Sequence, residues 1–126
     1  MNKRTVLITG ATKGIGYAAT EYLYQQGYQI IGIAREKPVQ SFPGDFFALD
    51  LSDEKATTEI FEAINKKYFI DGIVNNVGIA LRKPLGEIQV SDLHLVLDLN
   101  LRPALQAAQI FMKGMIDRKY GRMIIC

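Results

Sequence analysis

The chain has 126 residues, 48% of them hydrophobic, and a formal net charge of +2 at pH 7. That is enough apolar material for one packed core and argues against disorder, while basic residues scattered in short clusters such as Lys66-Lys67 give no footprint for nucleic acid or a membrane surface. The single cysteine, Cys126, excludes an internal disulfide and a cysteine-rich metal site; no stretch reaches transmembrane length, and the apolar run after Lys3-Arg4 is too short for a signal-peptide core, so a cytoplasmic chain without a metal is expected.

Val6-Leu7-Ile8-Thr9 is an apolar run that breaks into Gly10, Gly14 and Gly16 and then into helical spacing, which predicts a strand, a tight turn and a helix start. Glycine has no Cβ, so the turn can take positive φ and let a ligand approach the backbone. The free N–H groups of a helix start favour an anion, and the stretch can hold a pyrophosphate. Its G-x-x-x-G-x-G spacing differs from the G-x-G-x-x-G dinucleotide fingerprint, and a glycine-rich turn with no ligand is the alternative. Ile15, Ala18, Ala19, Tyr22 and Leu23 form an expected apolar stripe closed by Gly27, and residues 29–34 form a second strand closed by Arg35-Glu36-Lys37-Pro38.

Residues 38–44 read as a loop and residues 46–49 as a third strand. Ser52 is an expected N-cap for a second helix, with Ala56, Ile60, Ala63 and Ile64 inward and Lys55, Glu59, Glu62 and Lys66 outward. Residues 70–74 make a fourth strand that ends in Asn75-Asn76-Val77-Gly78. After a connection over 78–90, Ser91 can cap a short helix through Asp98, and Pro103 sits in the first turn of a longer helix running to Lys119. Ala104, Leu105, Ala107, Ala108, Ile110, Phe111, Met112, Met115 and Ile116 cover most of that helix, leaving Gln106, Gln109, Lys113 and Asp117 as a narrow polar stripe. Such a helix is buried on more than one side, so self-association through residues 101–119 is expected. Residues 122–126 begin a fifth strand. This alternation predicts an α/β fold with a doubly wound parallel sheet of order 3-2-1-4-5.

The glycine turn Thr9-Gly10 to Gly14-Ile15-Gly16, Asp50-Leu51, Asn75-Asn76-Val77-Gly78, Asn100 and Gly121-Arg122-Met123-Ile124-Ile125 together resemble the N-terminal half of the short-chain dehydrogenase/reductase family. The pattern is closest to the 3-oxoacyl-carrier-protein reductase type. The resemblance implies a Rossmann-like dinucleotide-binding domain over residues 1–126, the N-terminal part of a longer domain cut after the fifth strand, with the dinucleotide laid across the carboxyl ends of the strands. It implies cofactor contacts from Gly10, Thr12, Lys13, Gly14, Ile15 and Gly16, from Asp50 and Leu51 toward the adenine, and from Asn76, Val77 and Gly78 toward the ribose. Val77 stands where the commonest form has alanine. Arg35 ends the second strand where a carboxylate would hold the 2′-OH of NAD; with Lys13 it leans toward the 2′-phosphate of NADP, the alternative being solvated cations. In the family the counterpart of Asn100 is catalytic and holds a water for proton relay, whereas read from the sequence alone Asn100 is equally a local cap. His94, the single histidine, reads as a surface or packing residue.

The family's chemistry uses a tyrosine acid, a lysine four residues later and a serine beyond the fifth strand. None of the six tyrosines here is followed by lysine at that offset, and Ser41, Ser52 and Ser91 lie in a loop and at cap positions. The preferred reading is a fragment of an NADP(H)-dependent oxidoreductase whose parent acts on a small carbonyl or alcohol, the 126-residue chain alone being inactive. The alternatives are a catalytically inactive dinucleotide-binding module and a structural or assembly domain.

Overall fold

Strand β1 (Thr5–Thr9) is buried at every position, as a continuous apolar run must be when helices cover both faces of a sheet. In the computed structural model, which describes residues 3–38 and 41–126, β1 lies between β2 (Gln29–Ala34) and β4 (Ile70–Asn75). Strand β3 (Asp45–Ala48) pairs outside β2 and β5 (Arg122–Ile125) outside β4. Every pairing is parallel, and the order β3-β2-β1-β4-β5 is the expected one. The chain leaves β1 toward opposite edges of the sheet, so a crevice opens at the carboxyl ends of the strands. Residues 39 and 40 of the expected loop lie outside the described residues.

Helices α2 (Glu54–Lys67) and α4 (Arg102–Asp117) cover one face. Phe61, Ile64, Phe111 and Met115 close over Leu7, Ile31, Ile33 and Ile73, with the Phe61 and Phe111 rings tilted at 5.7 Å. On the other face α1 (Gly14–Gln25) brings Leu23 against Val6, Ile8 and Ile30.

The stripe on α1 has the expected period but a different phase. Gly16 and Thr20 are buried and Ala19 and Leu23 half-buried, whereas Ile15, Ala18 and Tyr22 are exposed. The cause is backbone contact: a Cβ on Gly16 would stand 2.0 Å from the Gly10 carbonyl oxygen, so the helix turns its glycine to the sheet, and the Thr20 hydroxyl donates back to the Gly16 carbonyl at 2.8 Å.

Two caps also differ from expectation. Asp53, not Ser52, caps α2, accepting the Ala56 N–H at 3.0 Å, because Ser52 is held by Asp50. Helix α3 (Val90–Asn100) has Gln89 rather than Ser91 as its N-cap, in a reciprocal capping box with Asp92, and it includes Asn100 as its last residue. On α4, Pro103, Ala104, Ala107, Phe111 and Met115 face the core. Gln106, expected among the solvated positions, donates to the Glu54 carbonyl at 3.0 Å and to Thr58 Oγ1 at 2.8 Å, which ties α4 to α2. Leu101, Leu105, Met112 and Ile116 are left exposed along one side.

Candidate functional site

The crevice holds a cleft of about 510 Å³ built from four chain turns. Gly10, Thr12 and Lys13 come from the turn after β1, Arg35 and Glu36 from the end of β2, Asp50, Leu51 and Ser52 from the turn after β3, and Asn76, Val77 and Gly78 from the turn after β4. Nine of the residues expected to contact a cofactor therefore meet in one place.

Thr9 sets the register of its floor. The hydroxyl oxygen accepts the backbone N–H groups of Asn76 at 3.0 Å and Val77 at 3.3 Å, holding the β4 turn against β1. Asn76 Nδ2 in turn donates to the Gly10 carbonyl at 3.4 Å. Gly10 has φ +64°, and a Cβ there would meet Asn76 Nδ2 at 3.1 Å, so glycine is required both by conformation and by the approach of that amide. Thr9 was not among the expected site residues; its signal is a buried hydroxyl at a strand end, where three polar groups need partners.

No side chain caps α1: its N-cap, Lys13, makes no side-chain hydrogen bond, and the first turn has no acidic residue. Such a terminus, with Lys13 beside it, suits a phosphate. Across the cleft the Asp50 carboxylate accepts the Ser52 hydroxyl at 2.7 Å and the Ser52 N–H at 2.9 Å. These two bonds, and then the charge of Arg35, hold its carboxyl below the usual 3.8. Arg35 and Asp50 thus put opposite charges on one rim.

Gly14, Ile15 and Gly16 do not line the cleft. Gly16 serves close packing, Ile15 is 74% exposed, and Gly14 has φ +54° with open space where a Cβ would be. Asn100 stands behind the cleft wall: its Oδ1 accepts the Ile79 N–H at 2.7 Å and its Nδ2 donates to the Ile79 carbonyl at 2.8 Å. Gly78 makes room for it, since a Cβ there would fall 2.9 Å from Oδ1. The apolar lining from Ile79 and from Leu95 and Leu99 of α3 was not foreseen, because nothing in the sequence fixes where α3 folds back. Arg102 was also missed. It is largely shielded, ion-paired to Asp98 at 3.3 Å, bonded to Gln106, and donates to the Leu51 carbonyl at 2.7 Å, which pins the turn after β3 to α4.

His94 is exposed on α3. Among the described residues no group of three or more His, Cys, Asp or Glu side chains is placed to hold a metal, and no helix is long and apolar enough to cross a membrane.

A parallel sheet with a glycine turn at the first crossover and a cleft at its switch point defines a doubly wound α/β protein of the Rossmann type. The chain belongs to the short chain dehydrogenase family, whose model matches residues 4–126. It is 33% identical to 3-amino-tetrahydro-pyrrolizinone reductase of Xenorhabdus hominickii, over 98% of this chain and 45% of the relative. It is 31% identical to 3-oxoacyl-[acyl-carrier-protein] reductase of Buchnera aphidicola, over 98% of this chain and 54% of that one. Among solved structures, a candidate NAD(P)-dependent gluconate 5-dehydrogenase of Beutenbergia cavernae, with NADP bound at low occupancy, superposes with a TM-score of 0.89 at 26% identity, over 95% of this chain and 52% of that one. The chain spans about half the length of the curated relatives it matches.

Proposed function

We propose that this chain is the dinucleotide-holding part of an NADP(H)-dependent oxidoreductase whose parent transfers hydride between nicotinamide and a small carbonyl or alcohol substrate. The observation that carries the reading is the meeting of Lys13 and Arg35 with the uncapped start of α1, Asp50-Leu51 and Asn76-Val77-Gly78 in one cleft. The fit is physical: Gly10 leaves the floor open, the helix start and Lys13 offer positive potential for a pyrophosphate, and the first position after β2, which faces a 2′-phosphate, carries the Arg35 guanidinium, with Glu36 beside it offsetting part of that charge. Bound there, the nicotinamide would supply or accept the hydride. The chain's own residues bind and orient: Arg35 and Lys13 select phosphate, the Asp50 carboxylate presents an acceptor and Leu51 its backbone N–H on the adenine side, and Val77 narrows the ribose side.

Asn100, in this reading, is a positioning residue that fixes the Ile79 backbone and leaves its own carbonyl for the proton relay. The parent supplies the serine, tyrosine and lysine that residues 1–126 do not present in the family's spacing. Self-association uses the exposed side of α4, where Leu101, Leu105, Met112 and Ile116 line up.

The test is NADPH oxidation with a panel of keto substrates, run on the 126-residue chain and on its full parent reading frame. Turnover by the parent and none by the chain is expected. Substantial turnover by the chain alone, or a parent that binds no dinucleotide, would overturn the proposal.

A further inference from the structure

The opposite end of the sheet carries a second cavity, of about 770 Å³, at the amino ends of β1, β2 and β4. Lys3 and Arg4 reach it from the start of β1, Lys67 from the end of α2, and Arg118 from the residue after α4, so segments far apart in sequence deliver four cations to one hollow. Among the described residues Asp71 is the one carboxylate in its lining, and it already accepts the Thr5 N–H at 2.9 Å. Among the described residues none of the four cations forms an ion pair; the chain's ion pairs are Lys83–Asp92, Arg102–Asp98 and Lys113–Asp117.

Aromatic rings hold these charges in place. The Arg4 guanidinium stacks 3.6 Å from the centroid of Tyr120, with Arg122 at 4.8 Å from the same ring, and Arg118 lies 5.0 Å from Phe69. Arg118 also donates to the Ile70 carbonyl at 2.8 Å, leaving its other guanidinium nitrogens available. Guanidinium groups fixed by stacking lose little entropy when they bind, and their planar forks match phosphate oxygens. Four cations lie here against the Asp71 carboxylate and the Asp45 carboxylate bonded to Tyr68, so positive charge is in excess and an anion gains both its own contacts and relief of the remaining repulsion.

We propose that this cavity is a second anion site, which takes a polyphosphate group, free or as the tail of a nucleotide. Several linked phosphates suit it better than one, because the cations come from three segments around a wide hollow and each phosphate of a chain can meet a different one. The exposed face of Phe69, 74% accessible, offers a stacking surface if a base is attached. The five-residue strand β1 separates this end from the cleft, roughly 17 Å at ordinary strand rise, so the two sites are distinct.

The experiment is calorimetric titration of the 126-residue chain with inorganic tripolyphosphate, repeated on Arg4→Gln/Lys67→Gln and on Lys13→Gln/Arg35→Ala. Neither Arg4 nor Lys67 donates a side-chain hydrogen bond to the backbone, so the first pair should stay folded, which the melting temperature checks. Tripolyphosphate affinity at this cavity should fall roughly tenfold or more in the first pair, the scale of one charge-assisted contact, whereas the second pair, which weakens the phosphate contacts of the first cleft, should retain the binding event at residues 3–5, 67–71 and 118–122. On the unsubstituted chain, amide chemical-shift changes should gather at residues 3–5, 67–71 and 118–122. Loss of affinity only in Lys13→Gln/Arg35→Ala, shift changes centred on residues 10–16, or equal binding by all variants would overturn the site. Measured on Lys13→Gln/Arg35→Ala, where the first cleft has lost its cations, ATP binding more tightly than tripolyphosphate identifies a nucleotide as the ligand; equal affinity identifies polyphosphate alone.

Discussion

Arg35→Ala removes the one guanidinium on the cleft rim at the end of β2 while leaving the strand, the glycine turn and Asp50 in place. A hydrogen bond to a charged group contributes about 1.5–3 kcal/mol. The lower part of that range applies here, because Arg35 is exposed and faces the ionised Asp50, whose carboxyl it helps to depress. A loss of about 1.5–2 kcal/mol means a rise of roughly 10- to 30-fold in the NADP dissociation constant. NAD carries no 2′-phosphate, so its affinity should change by less than about threefold on the same scale. Because the pair is solvent-facing, raising ionic strength from 0.1 M to 1 M, which shortens the Debye length from about 10 Å to about 3 Å, should erode the NADP preference in the unsubstituted chain. Calorimetric titration of both dinucleotides into both proteins, at both salt concentrations, is the assay. Equal affinities for NADP and NAD before substitution, or an equal loss of both after it, would refute the reasoning.

Gly16→Ala forces a Cβ to 2.0 Å from the Gly10 carbonyl oxygen, a backbone atom that cannot swing aside, and to 2.6 Å from Asn76 Nδ2; the expected loss is about 3 kcal/mol in denaturant unfolding, and a loss under about 1 kcal/mol would contradict the packing described. Asp50 has a carboxyl below its ordinary 3.8, so its stabilisation is complete above that value and disappears as pH falls through the depressed one. Asp50→Asn should therefore flatten the acid limb of the stability profile below about pH 4 and leave the neutral region unchanged in slope, and an identical acid limb would count against the Ser52 bonds. Met112→Glu and Ile116→Glu place charge on the exposed side of α4, and sedimentation equilibrium should show self-association of the unsubstituted chain and a monomer for the pair; a monomeric parent chain at high concentration would remove the interface.

The sheet was legible because its signals are local and redundant. Each of Val6-Leu7-Ile8, Ile30-Ile31 and Ile73-Val74 is a strand-length apolar run, and the helices between them leave parallel pairing as the only short connection. The cleft was legible for the same reason: residues at the carboxyl ends of neighbouring parallel strands must lie together, so Gly10, Arg35, Asp50 and Asn76 meet whatever their side chains do. What escaped was phase and long-range partnership. Ile15 looks like the first inward residue of α1, but backbone contact at Gly16 outweighs the burial of one isoleucine and turns the helix by one position. Ser52 has the composition of a cap, yet Asp50 two residues earlier claims both its donors. The basic residues look scattered along the chain because the fold, not the sequence, brings Lys3, Arg4, Lys67 and Arg118 to one end.

The two polar residues at the α3–α4 junction show how far such partnerships reach. Asn100 bonds both backbone groups of Ile79, and two positions later Arg102 bonds the carbonyl of Leu51; Ile79 and Leu51 lie on different walls of the cleft. A hydrogen bond of this kind resists displacement because breaking it strands a shielded polar group, at about 1–3 kcal/mol. The helix pair therefore fixes the cleft width through side chains that never line it, and Gly78 is the residue that lets Asn100 come close enough to do so. Leu101, between them, is exposed on the same side as Leu105 and Met112. The exposed apolar side of α4 and the side chains that support the cleft thus share one short segment, residues 100–102.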